Sequence, residues 1–165
     1  MINDVSALTH DPESLGAAAQ LGLPIVLMHS RGDPATMQVN PVYADDALDV
    51  YDGLEARILQ CERAGIPRAR LIVDPGIGFG KTLAHNCALL GALSLFHGLG
   101  CAVLLGASRK SFIAGLSGAE PAHRLPGSLA AAIAGATRGV QILRVHDVAE
   151  TRQALAVWQH IGTCG

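Results

Sequence analysis

Short aliphatic runs alternate along the chain with longer stretches in which apolar residues return every three or four positions. Pro24–His29 (PIVLMH), Leu71–Asp74 (LIVD), Cys101–Gly106 (CAVLLG) and Val140–Arg144 (VQILR) are brief and nearly unalternating, as strands buried on both faces are. Met1–Val5 reads as the end of another such strand. The segments between them predict helices. Asp11-Pro12 supplies a cap residue and then proline at the first helical position. From Tyr43 to Ala64 the residues Ala47, Tyr51, Leu54, Ile58 and Cys61 keep close to a 3.6 period, and Gly65-Ile66-Pro67 supplies the stop. Leu83–Phe96 and Ser128–Thr137 fit further helices. A last helix starts at Asp147, which forms a capping-box pair with Glu150, and carries Val148, Leu155, Trp158 and Ile161 on one stripe.

Strand and helix in regular alternation predict a parallel sheet with crossover helices, either an open doubly wound sheet or part of a (β/α) barrel. The polar residues favour the barrel. Asn3-Asp4, His29-Ser30-Arg31, Asp74, Ser108-Arg109-Lys110 and Arg144-Val145-His146-Asp147 each fall at or just after the end of a strand. In a barrel all those ends converge on one mouth, whereas an open sheet shares a site only where strand order reverses. A complete eight-stranded barrel needs ~250 residues, so a chain of 165 residues holds about five-eighths of one. No repeat, charge block or linker divides it, which predicts a single domain over residues 1–165.

Composition narrows the class. Half of the residues are hydrophobic, 16% are charged and mean hydropathy is +0.34, which excludes disorder. No apolar run reaches the ~18 residues of a spanning helix, and Met1–Gln20 lacks the basic and apolar pattern of a secretory leader. Cys61, Cys87, Cys101 and Cys164 show no CxxC spacing, so they read as plain thiols of a cytoplasmic protein rather than a zinc site or disulfide framework. The net charge of −2 gives no reason to expect nucleic acid as a partner. It is unevenly spread: residues 1–62 carry ten acidic and two basic side chains, and residues 63–165 carry four and ten. The basic part suits an anionic ligand or an ordinary solvated face.

Several strand ends could carry chemistry. Asp74-Pro75-Gly76-Ile77-Gly78-Phe79-Gly80-Lys81-Thr82 is neither a Walker A loop, since Pro75 stands where its first glycine belongs, nor a GxGxxG fingerprint. It is a Gly-rich loop with one aromatic residue behind a strand-end carboxylate. Pro75 holds Asp74 extended, and the glycines let ligand and backbone approach closely; a plain turn is the alternative, disfavoured because an ionised strand-end Asp needs a partner. Ser108-Arg109-Lys110 suits an anion or a carbonyl-rich ring, or is surface. Arg144 and His146 alternate with Val145 and so point the same way, beside a helix start, which suits phosphate. His29 is a weaker candidate. His10, His85, His97, His123 and His160 lack metal-ligand spacing and read as surface.

The ordered motifs INDVSA, LMHSRGDPATMQ, DPGIGFGKT, GASRKSFI, RLPGSLAAA and RVHDVAET resemble the dihydropteroate synthase family over essentially the whole chain. The resemblance implies a (β/α)-eight barrel that joins dihydropterin pyrophosphate to para-aminobenzoate and releases pyrophosphate, on the route to folate. It implies that Asn3 and Asp74 bond the aminopyrimidine edge of the pterin, with Lys110 on the ring's other side. Arg144 and His146 would hold the leaving pyrophosphate together with Mg²⁺, and Ser108 and Phe79 would help receive para-aminobenzoate. Lys110, Arg144 and His146 are thus the implied catalytic groups.

Against the family's pattern the chain corresponds to roughly strands 4–8 with their helices. The first-strand segment with the family's metal-site Asn, the following Thr-Arg-Pro segment and the third strand's pterin-binding Asp have no counterpart in it. The Met1–Val5 and Val140–Arg144 strands would lack outer neighbours, so a homo-oligomer or a complementing N-terminal chain is expected. Two alternatives stand beside this reading: the pterin-binding domain of a methyltetrahydrofolate–corrinoid methyltransferase, and a non-catalytic ligand-binding or partner subunit.

Overall fold

The computed structural model of the chain describes residues 1–32, 37 and 41–163. Five strands form one parallel sheet: β1 (Ile2–Asp4), β2 (Ile25–Met28), β3 (Leu71–Asp74), β4 (Ala102–Leu105) and β5 (Ile142–Leu143). Their order in space is their order in the chain. A doubly wound sheet reverses direction at a switch point; here each crossover steps the same way, as a barrel grows.

A side-chain contact proves that the sheet curls. β1 and β5 are its opposite edges, four strand spacings or ~19 Å apart if the sheet lay flat. Yet Arg144, one residue beyond β5, donates from Nη1 to Asn3 Oδ1 on β1 at 2.6 Å. An arginine and an asparagine cannot bridge the flat distance, so the five strands wrap around a shared interior.

Residue alternation sorts the two faces. Ile25, Leu27, Leu71, Val73, Val103 and Leu105 point outward into the main core under the helices. Val26, Ile72 and Leu104 point inward, with Ala102 and Ile142 against them. Two residues further along each strand, the same inward face carries Met28, Asp74, Gly106 and Arg144, and Asn3 joins it through its register with Val26. β2 to β5 thus serve the core with their odd residues and the mouth with their even ones, and β1 does the reverse.

The helices are α1 (Ser14–Leu21), α2 (Asp46–Arg63), α3 (Leu83–Gly91), α4 (Ser111–Ser117), α5 (Leu125–Thr137) and α6 (Val148–Thr163). α2 ends in the expected way: Ile66 N–H bonds Cys61 O at 3.0 Å and Gly65 N–H bonds Glu62 O at 2.9 Å, with Gly65 at φ +85, a Schellman stop. Val50, Leu54, Ile58 and Cys61 are its buried stripe.

Several boundaries differ from the sequence reading. α1 starts at Ser14, because Asp11 closes a turn by accepting from Glu13 N–H at 2.8 Å. The helix expected over Leu83–Phe96 ends at Gly91, and a 3-10 segment follows over Leu93–Leu99. α5 begins at Leu125 rather than Ser128, with Pro126 in its first turn. α4 was not legible at all. The Asp147 carboxylate accepts from Arg109 instead of making the expected cap. On α6 the predicted stripe is half covered: Leu155 and Trp158 are half-buried, while Val148 and Ile161 are 57% and 74% exposed.

Candidate active site

Asp74 ends β3 and is fully buried. Its Oδ1 accepts from Gly76 N–H at 2.8 Å, and its Oδ2 accepts from Arg144 Nη2 at 2.9 Å. Burial pushes its carboxyl up, opposed by the Gly76 N–H and the positive charges of Arg144 and Lys110. Arg144 therefore forks between two acceptors, Asp74 and Asn3. Gly106 makes this possible, since a Cβ there would stand 2.5 Å from Arg144 Nη2.

Lys110 follows the turn after β4. Its Nζ donates to Ile77 O and stands 4.6 Å from the centroid of the Phe79 ring, a cation–π contact. Burial lowers it to about 8, with Asp74 opposing and Arg144 adding to the shift. The residue before it, Arg109, adopts φ +57. That left-handed turn is fixed from α5: Arg109 N–H bonds Ser128 Oγ at 2.9 Å, and Arg124 donates to Arg109 O at 3.0 Å. Ser108 is buried and joins the last strand end, with His146 Nδ1 at 3.0 Å from its Oγ and His146 N–H donating to it at 3.3 Å. His146 itself is exposed.

Asn3, Asp74, Ser108, Lys110, Arg144 and His146 thus meet at one mouth, as parallel-strand geometry requires, and Phe79 flanks them through Lys110. A cavity of about 400 Å³ opens beside it, lined among others by Val5, Met28, Ser30 and Phe79. An apolar groove between α4 and α5, about 510 Å³, lies away from these charges.

Other strand-end groups are structural. Asp4 accepts from Ser6 and Leu8 N–H at 2.9 and 2.8 Å and so shapes the β1–α1 loop, in which Ala7 and Leu8 have positive φ. Arg31 pairs with Asp49 at 3.3 Å and lies 4.7 Å from the Tyr43 ring centroid. His29 is held by its neighbours: burial and the nearby Lys81 and Arg31 charges bring it down to about 3. Of LMHSRGDPATMQ, Asp33–Thr36 and Gln38 lie outside the described residues, as does Cys164.

Sequence reasoning missed Lys81. Only 3% of it is exposed. Its Nζ donates to Phe79 O at 2.9 Å and His29 O at 3.3 Å, and lies 3.2 Å from His29 Nδ1. Burial lowers it to about 7, with Asp74 opposing and Lys110 adding to the shift. It ties the Gly-rich loop to the end of β2.

Among the described residues no group of three His, Cys, Asp or Glu could hold a metal ion. The anion end of the mouth offers Lys110, Arg144 and His146 instead of the oxygen ligands that Mg²⁺ takes. The described residues at the mouth do not fit a protein-bound Mg²⁺. No helix among the described residues is long and apolar enough to cross a membrane.

Fold and mouth together define a pterin-site (β/α)-barrel protein: the pterin binding enzyme family matches residues 1–146, and the chain belongs to it. More particularly, it is 47% identical over 157 residues to the dihydropteroate synthase of Escherichia coli K12, covering 95% of this chain and 55% of that protein. With the Neisseria meningitidis serogroup B dihydropteroate synthase it shares 48% over 166 residues, 98% of this chain and 58% of the relative. A Yersinia pestis dihydropteroate synthase solved with a sulfonamide drug superposes with a TM-score of 0.95 at 43% identity, covering 99% of this chain and 59% of that one. The Xanthomonas albilineans enzyme in complex with 7,8-dihydropteroate gives 0.91 at 46%, over 100% and 60%. The chain spans a little over half the length of the curated relatives it matches. These relatives do not favour the corrinoid methyltransferase alternative.

Proposed function

We propose that this chain forms the pterin and diphosphate side of a dihydropteroate synthase site, over a single domain of residues 1–165, corresponding to strands 4–8 of the barrel. The reaction joins dihydropterin pyrophosphate to para-aminobenzoate in the cytoplasm, on the route to folate. The C–O bond to the diphosphate breaks, the amine nitrogen bonds the freed carbon and loses a proton, and pyrophosphate leaves. The observation that carries this reading is the convergence of a buried carboxylate, Asp74, with Asn3, Lys110 and Arg144 at one mouth.

Each residue then has a task. Asp74 and Asn3 accept from the donor edge of the pterin, for which a carboxylate suits two parallel N–H groups. Lys110 closes the ring's other side. Arg144 and His146 stabilise the departing diphosphate, where negative charge builds in the transition state. Ser108 and Phe79 border the space for para-aminobenzoate. Any Mg²⁺ would come with the diphosphate rather than be held by these residues. A second copy or a complementing chain meets the edges of β1 and β5, each paired on one side only among the described residues.

Calorimetry tests the reading. The chain should bind dihydropterin pyrophosphate, and Asp74→Asn should lose most of that affinity. Equal affinity in wild type and Asp74→Asn would overturn the assignment.

A further inference from the structure

The arginine at the mouth occupies both acceptors that a planar donor edge would need. Nη1 is on Asn3 Oδ1 at 2.6 Å and Nη2 is on Asp74 Oδ2 at 2.9 Å, while Asp74 Oδ1 is taken by Gly76 N–H at 2.8 Å. A guanidinium is a flat fork of N–H donors. It copies the very edge by which an aminopyrimidine would be recognised.

We infer that Arg144 is a specificity-determining residue that makes the pterin site conditional on an anion: its guanidinium closes Asp74 and Asn3 until a diphosphate draws it away. This deepens the function proposed above and rests on it. A pterin that carries a diphosphate opens the site with its own charge and then uses the freed acceptors. A pterin alcohol with the same donor edge must break both arginine contacts and gains nothing in return for the cation.

Three features suit Arg144 to this task. Its side chain is 39% exposed although the carboxylate it meets is fully buried, so an anion can reach the guanidinium from solvent. Lys110 stays beside Asp74 and exerts its own pull on it, so Asp74 is not left as an uncompensated buried charge when Arg144 swings out. The closed position also depends on Gly106. A Cβ there would stand 2.5 Å from Nη2 and 3.0 Å from Cζ, and those are the mobile end of a long side chain. An alanine at 106 would therefore evict the guanidinium and keep its charge.

The test uses 6-hydroxymethylpterin, an uncharged pterin alcohol, titrated into the purified chain with and without saturating pyrophosphate. Pyrophosphate should strengthen its binding about tenfold or more, the scale of charged hydrogen bonds that are partly solvated, and by linkage the pterin should strengthen pyrophosphate binding equally. Gly106→Ala should bind the alcohol without pyrophosphate about as tightly as wild type does with it. Arg144→Ala should bind the alcohol at least as well as wild type and show no response to pyrophosphate. If pyrophosphate leaves the alcohol's affinity in wild type unchanged or lower, or strengthens it equally in Arg144→Ala, the gate is overturned while the proposed function stands. Absence of pterin binding under every condition overturns both. The wild-type titration decides the matter even where a variant fails to fold.

Discussion

The mouth has two lips built from the same parts, loops that follow parallel strands, yet they are held by opposite means. On the β2–β3 side the backbone itself is wedged. A Cβ at Gly76 would meet His29 O at 1.9 Å, and one at Gly80 would meet Arg31 O at 2.3 Å. Tyr43 donates to Gly80 O at 2.9 Å, and Lys81 is buried against Phe79 O and His29 O. On the β4–β5 side the fixed points are side-chain tips: Arg144 on Asp74 and Asn3, Lys110 on Ile77 O, and His146 on Ser108. Shape is set where backbone touches backbone, and charge is placed where flexible tips can exchange one acceptor for another. The first lip should therefore answer to stability measurements and the second to ligands.

The sharpest way to break this contrast is Gly76→Ala. The added Cβ would press on a backbone oxygen, and the residue sits at φ +69, so steric overlap and left-handed strain add. A loss of about 3 kcal/mol or more is expected in chemical denaturation. A loss below about 1 kcal/mol would mean that the loop is not wedged.

Lys81→Met should cost less. It keeps the buried stem and removes the ammonium that serves Phe79 O and His29 O, for a loss of about 1–3 kcal/mol. The same residue gives stability a pH dependence. Its folded pKa is lowered to about 7 from 10.5, and that of Lys110 to about 8. The unfolded chain thus holds protons that the folded chain has released, so stability should rise with pH from about 7 upward. Above about 9 the buried thiols of Cys61 and Cys101, raised from 9.0 by burial, act in the opposite sense. Urea midpoints across pH 7–9 should climb in wild type and climb less in Lys81→Met; parallel curves would remove Lys81 from the account.

Across the mouth, Arg144→Ala should leave the denaturation midpoint nearly unchanged and remove most pyrophosphate affinity, about 1.5–3 kcal/mol by calorimetry. Unaltered pyrophosphate affinity would sink the anion role.

How much of this was legible follows the same division. The strands announce themselves, because a run such as LIVD is apolar on both faces and ends in its carboxylate. The meeting of Asp74 with Arg144 follows from barrel geometry, since parallel strand ends share one side and the curl of the sheet brings them to one mouth. Lys81 was not legible, because nothing local shows that Phe79 O and His29 O converge on it. The Thr82–His85 capping box escaped because His replaces the usual Glu or Gln. Asp147 misled for a related reason: its carboxylate suited a cap, but a guanidinium from another strand end reached it first.

The smallest effect concerns that pair. Arg109 donates to Asp147 from Nε at 3.0 Å, and this holds the Asp147 carboxyl below its ordinary range. The arginine side chain is 48% exposed, so water and salt screen the attraction, and side-chain ordering offsets it. The backbone beneath it is another matter, because Arg109 stands at φ +57 in a turn that orients Ser108 and Lys110. Arg109→Ala loses the ion pair and keeps the left-handed strain, whereas Arg109→Gly loses the same pair and relieves it. Arg109→Gly should melt about 2–4 °C above Arg109→Ala, with both near wild type. An order reversed between the two, or a large loss in both, would show that the second lip is held by this ion pair after all, and that its difference from the first is smaller than the geometry indicates.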